Sequence, residues 1–311
     1  MIKIYKTIQD NTTVEVETIE KGCWINIINP TDTELEYVSS KTGILVDFLK
    51  SALDEEESSR LEIEEDQYLF IFDIPFIDVE NKKLNYYTIP LGIVLNNDFI
   101  VTICLEENKI LEDFTKGKIK SFYTYKKSRF ILQILFRIST YYLNYLKQID
   151  KTSSVIEARL HRSMKNKELI QLLELEKSLV YFSTSLKANE ITLEKMLKLD
   201  MINKYPEDQD VLEDVIIENK QAIEMANIYS NILSGTMDAF ASIISNNLNI
   251  VMKFLASITI VISIPSVFAG LWGMNVPVPF AENPFGFYIV LLITALATGV
   301  ATYFLAKKDM F

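Results

Sequence analysis

The stretch KFLASITIVISIPSVFAGLWGMN, residues 253–275, decides how this chain is built. Residues 254–272 carry no charge, and as a helix they are long enough to cross a hydrocarbon core of about 30 Å. A second uncharged run covers 285–306. The intervening 273–284 is too short for a domain, so the two runs form a helical hairpin. Lys253 precedes the first run, Lys307 and Lys308 follow the second, and the connecting loop has no Lys or Arg. The positive-inside rule therefore predicts cytoplasmic chain ends and a multi-pass protein of the cell membrane.

Working outward, the first membrane run continues a much longer helix. Tyr205-Pro206-Glu207-Asp208 is a helix start, because proline suits the first helical position and acids suit the positive end of the helix dipole. No further proline appears until Pro265. A helix from Pro206 to Trp272 would measure roughly 100 Å at about 1.5 Å per residue, too long for one globular core.

At heptad spacing this helix reads Gly235, Asp238, Ser242, Ser245, Asn249, Met252, Ala256, Thr259, Ser263, Ser266, Gly270 and Gly273. All but Met252 are small or polar. Two explanations compete: a tight helix-packing seam in lipid, or a wet surface around a shared axis. Asp238 and Asn249 extend the stripe beyond the membrane run, where a packing seam would turn apolar, and this favours a pore. The second run has Ala295 and Gly299 four apart without a polar stripe, which suggests contact with lipid and a neighbouring helix.

The remainder is of another texture. At 311 residues the chain predicts two structural units, and 49% apolar with 23% charged residues suggests very apolar stretches beside very polar ones. Alternating segments 1–7 and 23–28, apolar runs 69–74 and 91–95, and an Asn96-Asn97-Asp98 turn into 99–104 predict an α/β domain over 1–120. Thr31 and Glu34 have the spacing of a capping box. Helical periodicity from about residue 118 predicts antiparallel helices over 121–204. The long helix then takes 205–272, with 254–272 in the membrane. An external loop covers 273–284, the second membrane helix 285–306, and a basic tail 307–311.

The net charge of −11 argues against a nucleic-acid partner. Cys23, Cys104 and the single His161 lack zinc-ligand spacing. No nucleophile–base pair or phosphate loop suggests an enzyme.

Gly273-Met274-Asn275 closes the first membrane helix, preceded by Ala269-Gly270-Leu271-Trp272 and, farther back, by DAFASIISNNLNIVMKFL at 238–255. With the hairpin and terminal lysines, this resembles the CorA family of magnesium channels, whose defining motif is that tripeptide. The resemblance implies a homopentamer with the first membrane helix around the pore and a ring of Asn275 as the outer selectivity site. It implies Asp238, Asn249, Met252, Leu255, Ser263 and Ser266 as pore positions, to which the stripe adds Thr259. Mg²⁺ is the expected cargo, with Co²⁺ or Ni²⁺ as further divalent cations, and intracellular Mg²⁺ the expected regulator. Asp214 matches the regulatory position on the long helix, and Asp73 and Asp78 are candidate partners from a neighbouring protomer. The chain departs from the family after the tripeptide. Val276-Pro277-Val278-Pro279 replaces an acidic Met-Pro-Glu-Leu, weakening the outer attraction for cations. A zinc-transporting relative, in which the methionine is typically replaced, and a non-transporting anchored scaffold are the alternatives.

Overall fold

The computed structural model describes residues 1–8, 12–80, 83–119, 121–163, 166–308 and 310. The chain divides into two compact units, Met1–Gly235 and Thr236–Phe311.

The first unit is built on a sheet of β1 (Ile2–Thr7), β2 (Thr13–Val16), β3 (Trp24–Ile28), β4 (Arg60–Glu64), β5 (Gln67–Glu80), β6 (Lys83–Leu95) and β7 (Ile100–Cys104). Their order is β2-β1-β3-β7-β6-β5-β4. Every pairing is antiparallel except β3 with β7. Alternation sets the two faces. Cys23, Ile25 and Ile27 join Leu69, Ile71 and Val101 under α1 (Asp32–Thr42) and α2 (Val46–Ser51). Trp24 points the other way, onto Phe122 and Phe130, and its indole N–H donates to Thr102 Oγ1 at 2.8 Å.

The predicted capping box is present. Glu34 N–H donates to the Thr31 hydroxyl and the Glu34 carboxylate accepts from Thr31 N–H at 2.8 Å, opening α1. The hairpin expected at 91–104 is also present, turning at Asn96, whose side chain accepts from the amides of Asp98 and Phe99. Gly92 lies close beneath α2, where a Cβ would come within 2.5 Å of the Ala52 methyl.

Helices α3 (Lys109–Thr115), α4 (Lys127–Ser163), α5 (Asn166–Met196) and the short α6 (Asp200–Asn203) follow. Helix α4 begins nine residues later than the periodicity near residue 118 suggests, because Phe122 and Thr124 first close the core around Trp24 in non-helical chain. Helix α7 (Pro206–Trp272) is continuous, with Pro206 at its first position and Glu207 and Asp208 in its first turn. Its residues 206–235 belong to the first unit, where Asn219 Nδ2 donates to Leu186 O on α5 and Lys220 pairs with Glu190.

The second unit is the rest of α7, the loop after it, and α8 (Gly286–Lys307). Both helices are long and apolar enough to cross a membrane.

Candidate functional site

Within the second unit, one side of each helix is covered and the other is not. On α7 the sheltered positions are Ser257, Ile258, Val261, Ile264 and Phe268, recurring at helical spacing. On α8 they include Ile293, Thr294, Ala297, Thr298, Ala301 and Thr302. Thr294, Thr298 and Thr302 each donate to the carbonyl four residues earlier at 2.8 Å. This removes the hydroxyl proton from competition and leaves slim side chains on the sheltered side. Ala295 and Gly299, singled out by their spacing, are exposed instead. The threonine ladder was readable as an i, i+4 pattern but carries no charge or bulk to draw attention.

Every candidate pore residue on α7 lies on the uncovered side. Asp238, Asn249, Met252, Leu255, Thr259, Ser263 and Ser266 are all exposed in the single chain. The hydroxyls among them are internally satisfied: Thr259 donates to Leu255 O at 2.8 Å, Ser263 to Thr259 O at 2.7 Å and Ser266 to Ile262 O at 3.2 Å. With the proton committed to the helix, the oxygen lone pairs are what these side chains present outward. Among the described residues, the Asn249 and Asn275 amides have no hydrogen-bond partner.

The Gly273-Met274-Asn275 end of α7 is fixed by the loop that follows it. Gly273 N–H closes the last turn onto Ala269 O at 2.9 Å. The Trp272 indole stacks on Phe268 and donates to Pro279 O at 3.0 Å, so the loop folds back over the helix end. Phe280 adopts a left-handed backbone at φ 67°, and its carbonyl lies where a Cβ on Gly286 would approach within 2.2 Å. Asn283 then accepts from Phe285 N–H at 2.9 Å and leads into α8. Gly273, Met274 and Asn275 are exposed on this braced segment. At the opposite end, the single Ser257 hydroxyl proton is shared between Lys253 O at 2.9 Å and Met310 O at 2.8 Å, a clasp the sequence did not suggest.

The regulatory candidates lie in the first unit. Asp214 is exposed on α7, and Asp210 and Glu207 precede it by one and two turns on the same face. Asp73 and Asp78 are five residues apart on β5 and so point to opposite faces of the strand. Asp78 is exposed, whereas Asp73 is largely buried beneath α4 and α5. The Asn189 side chain accepts from Asp73 N–H at 3.0 Å and donates to its carbonyl at 2.8 Å, and the Tyr142 hydroxyl donates to that carbonyl as well. Burial pushes the Asp73 carboxyl up to about 6, only partly offset by a hydrogen bond from Ser185. Among the described residues of one chain, no three His, Cys, Asp or Glu side chains converge on a metal position.

An apolar hairpin whose first helix leaves aligned oxygens uncovered, with the exposed Gly273-Met274-Asn275 segment at its end, is the arrangement of a membrane transport protein, and likeness to known proteins places the chain in that class. The description "CorA-like Mg2+ transporter protein" matches residues 20–308, and the chain belongs to that family. The cobalt/magnesium transport protein CorA of Methanocaldococcus jannaschii is 28% identical over 324 residues, covering 99% of each protein. The complete structure of the CorA magnesium transporter from that organism matches with a TM-score of 0.85 at 27% identity, over 98% of this chain and 96% of that one. A magnesium transport protein CorA from Helicobacter pylori is 21% identical over 292 residues, 92% of this chain and 89% of that protein.

Proposed function

We propose that the chain assembles as a homopentamer and conducts Mg²⁺ passively into the cell, with the exposed stripe of α7 around the pore and Asn275 at its outer mouth. The observation that carries this is the stripe itself. A helix surrounded by lipid gains nothing from holding Thr259, Ser263 and Ser266 on one uncovered side, with Asn249 continuing the line beyond the membrane run, whereas a shared wet axis uses them. Mg²⁺ takes oxygen ligands and gives up water reluctantly. A ring of neutral amide oxygens can accept hydrogen bonds from the hydrated ion without stripping it, and holds it weakly enough to release it. Met252 and Leu255 supply apolar girdles able to close the path by dewetting. Asp238 concentrates cations at the cytoplasmic end. The name of the Methanocaldococcus relative supports Co²⁺ as a second cargo, and Ni²⁺ has the same charge and oxygen-accepting chemistry.

Lys253, Lys307 and Lys308 at one end of the hairpin, against a loop without Lys or Arg, support cytoplasmic placement of both chain ends. Regulation by internal Mg²⁺ would draw its carboxylates from adjacent protomers, with Asp214 on one side and the exposed Asp78 the better-placed partner on the other. Asp73 faces the interior of its own unit and is the poorer candidate.

Flux into liposomes containing a fluorescent Mg²⁺ reporter tests the mouth. Asn275→Ala should lower the rate at least tenfold while light scattering still gives the wild-type assembly. Wild-type flux in that variant would place ion selection elsewhere.

A further inference from the structure

A cavity of about 910 Å³ opens in the first unit, where the β4–β5 and β6–β7 turns meet the approach to α4 and the start of α7. That volume falls in the range of small-molecule sites, roughly 300–1,000 Å³. Its lining is unlike the surface of this acidic chain. Lys126, Lys127, Arg129 and Lys204 bring four cations to it, and Tyr123, Tyr125 and Tyr205 bring aromatic rings.

The cations divide into two kinds. Lys127 donates to the carbonyls of Asn96 and Asn97, and partial burial lowers its pKa. Arg129 donates to Glu207 O at 3.1 Å and to the Asp208 carboxylate at 3.3 Å. These two hold the walls together. Lys126 and Lys204 are exposed, and each ammonium rests over a ring, 4.9 Å from the Tyr123 centroid and 5.8 Å from that of Tyr205. Neither has a carboxylate partner among the described residues. Helix stability does not explain the arrangement. The first turn of α4, Lys127-Ser128-Arg129, contains no acid, the reverse of what the helix dipole favours.

Three acids line the same space: Asp208, already paired with Arg129, and Asp66 and Glu207. A bare polyanion would meet them as well as the lysines. A polyphosphate carrying a divalent cation presents both signs, and a planar base would use the rings of Tyr125 and Tyr205, each 52% exposed. We propose that this cavity binds a nucleoside polyphosphate as its Mg²⁺ complex, with the phosphates on Lys126 and Lys204, the base on the tyrosines, and Asp66 and Glu207 facing the metal side. The ligand would thus carry the ion that the family transports, yet its binding requires nothing of the pore.

Calorimetric titration of the full-length protein in detergent with MgATP tests this directly. Saturable binding of one ligand per chain is expected. Lys126→Ala and Lys204→Ala should each weaken it about tenfold, the loss of one charge-assisted contact of about 1.4 kcal/mol. Tyr205→Ala should weaken it several-fold. ATP with EDTA should bind more weakly than MgATP, and inorganic phosphate with Mg²⁺ should compete poorly. Absence of saturable binding at millimolar MgATP overturns the proposal, as do unchanged affinities in both lysine variants. Tighter binding without the metal, or equal competition by phosphate, overturns the assignment of ligand class. Both lysines are exposed, and an unchanged melting temperature certifies each variant as folded.

Discussion

Among the described carboxyls, Asp73 is the one whose surroundings most disturb its titration. Its ordinary value of 3.8 rises to about 6 through burial, so the folded state holds the proton more tightly than the unfolded chain does. The stabilisation is complete below the unfolded value and is lost as pH climbs through about 6. The difference corresponds to roughly 3 kcal/mol. Asp73→Asn should therefore raise the melting temperature at pH 7.5 and flatten its dependence between pH 4 and 7, and parallel wild-type and variant curves would contradict this reading. Asp214 calls for a functional test. If it helps to bind internal Mg²⁺, then Mg²⁺ stabilises the closed state by mass action. Asp214→Ala should then stay active at internal Mg²⁺ that silences the wild type, and superimposable flux curves would remove it from the mechanism. The position of Asp214 was readable because helix and motif give it a fixed address. The burial of Asp73 was not, because an acid within a strand looks the same in sequence whether a helix covers it or water does.

The elements show how far periodicity carries. The start of α7 at Pro206, the capping box of α1 and the apolar length of the two hairpin helices all follow from short-range signals: proline geometry, a side chain answering its own backbone, and length without charge. Where the outcome depends on what lies opposite, local patterns say less. The bond from Ser257 to Met310 O and the indole bond from Trp272 to Pro279 O depend on a partner brought close by folding. The loop after Asn275 belongs to this scale. A methyl group on Gly286 would meet Phe280 O within 2.2 Å, so Gly286→Ala must shift the backbone there. Such overpacking costs about 1–3 kcal/mol. The expected result is a lower melting temperature and reduced Mg²⁺ flux, whereas wild-type values for both would mean the loop does not brace the mouth.

For the whole molecule, the division between an α/β unit and a membrane hairpin was legible from composition alone, since charge and apolar length segregate along the chain. If the uncovered stripe on α7 lines an axis shared by five copies, as proposed, purified protein in mild detergent should scatter light as about five times 35.8 kDa. A stable monomer would remove the axis. The most direct measurement is Mg²⁺ entry into Mg²⁺-free liposomes containing the purified protein, with an inside-negative membrane potential imposed. The account predicts uptake faster than in protein-free liposomes that grows with the imposed potential. Uptake no faster than in protein-free liposomes, or uptake indifferent to the potential, would contradict a passive Mg²⁺ pathway.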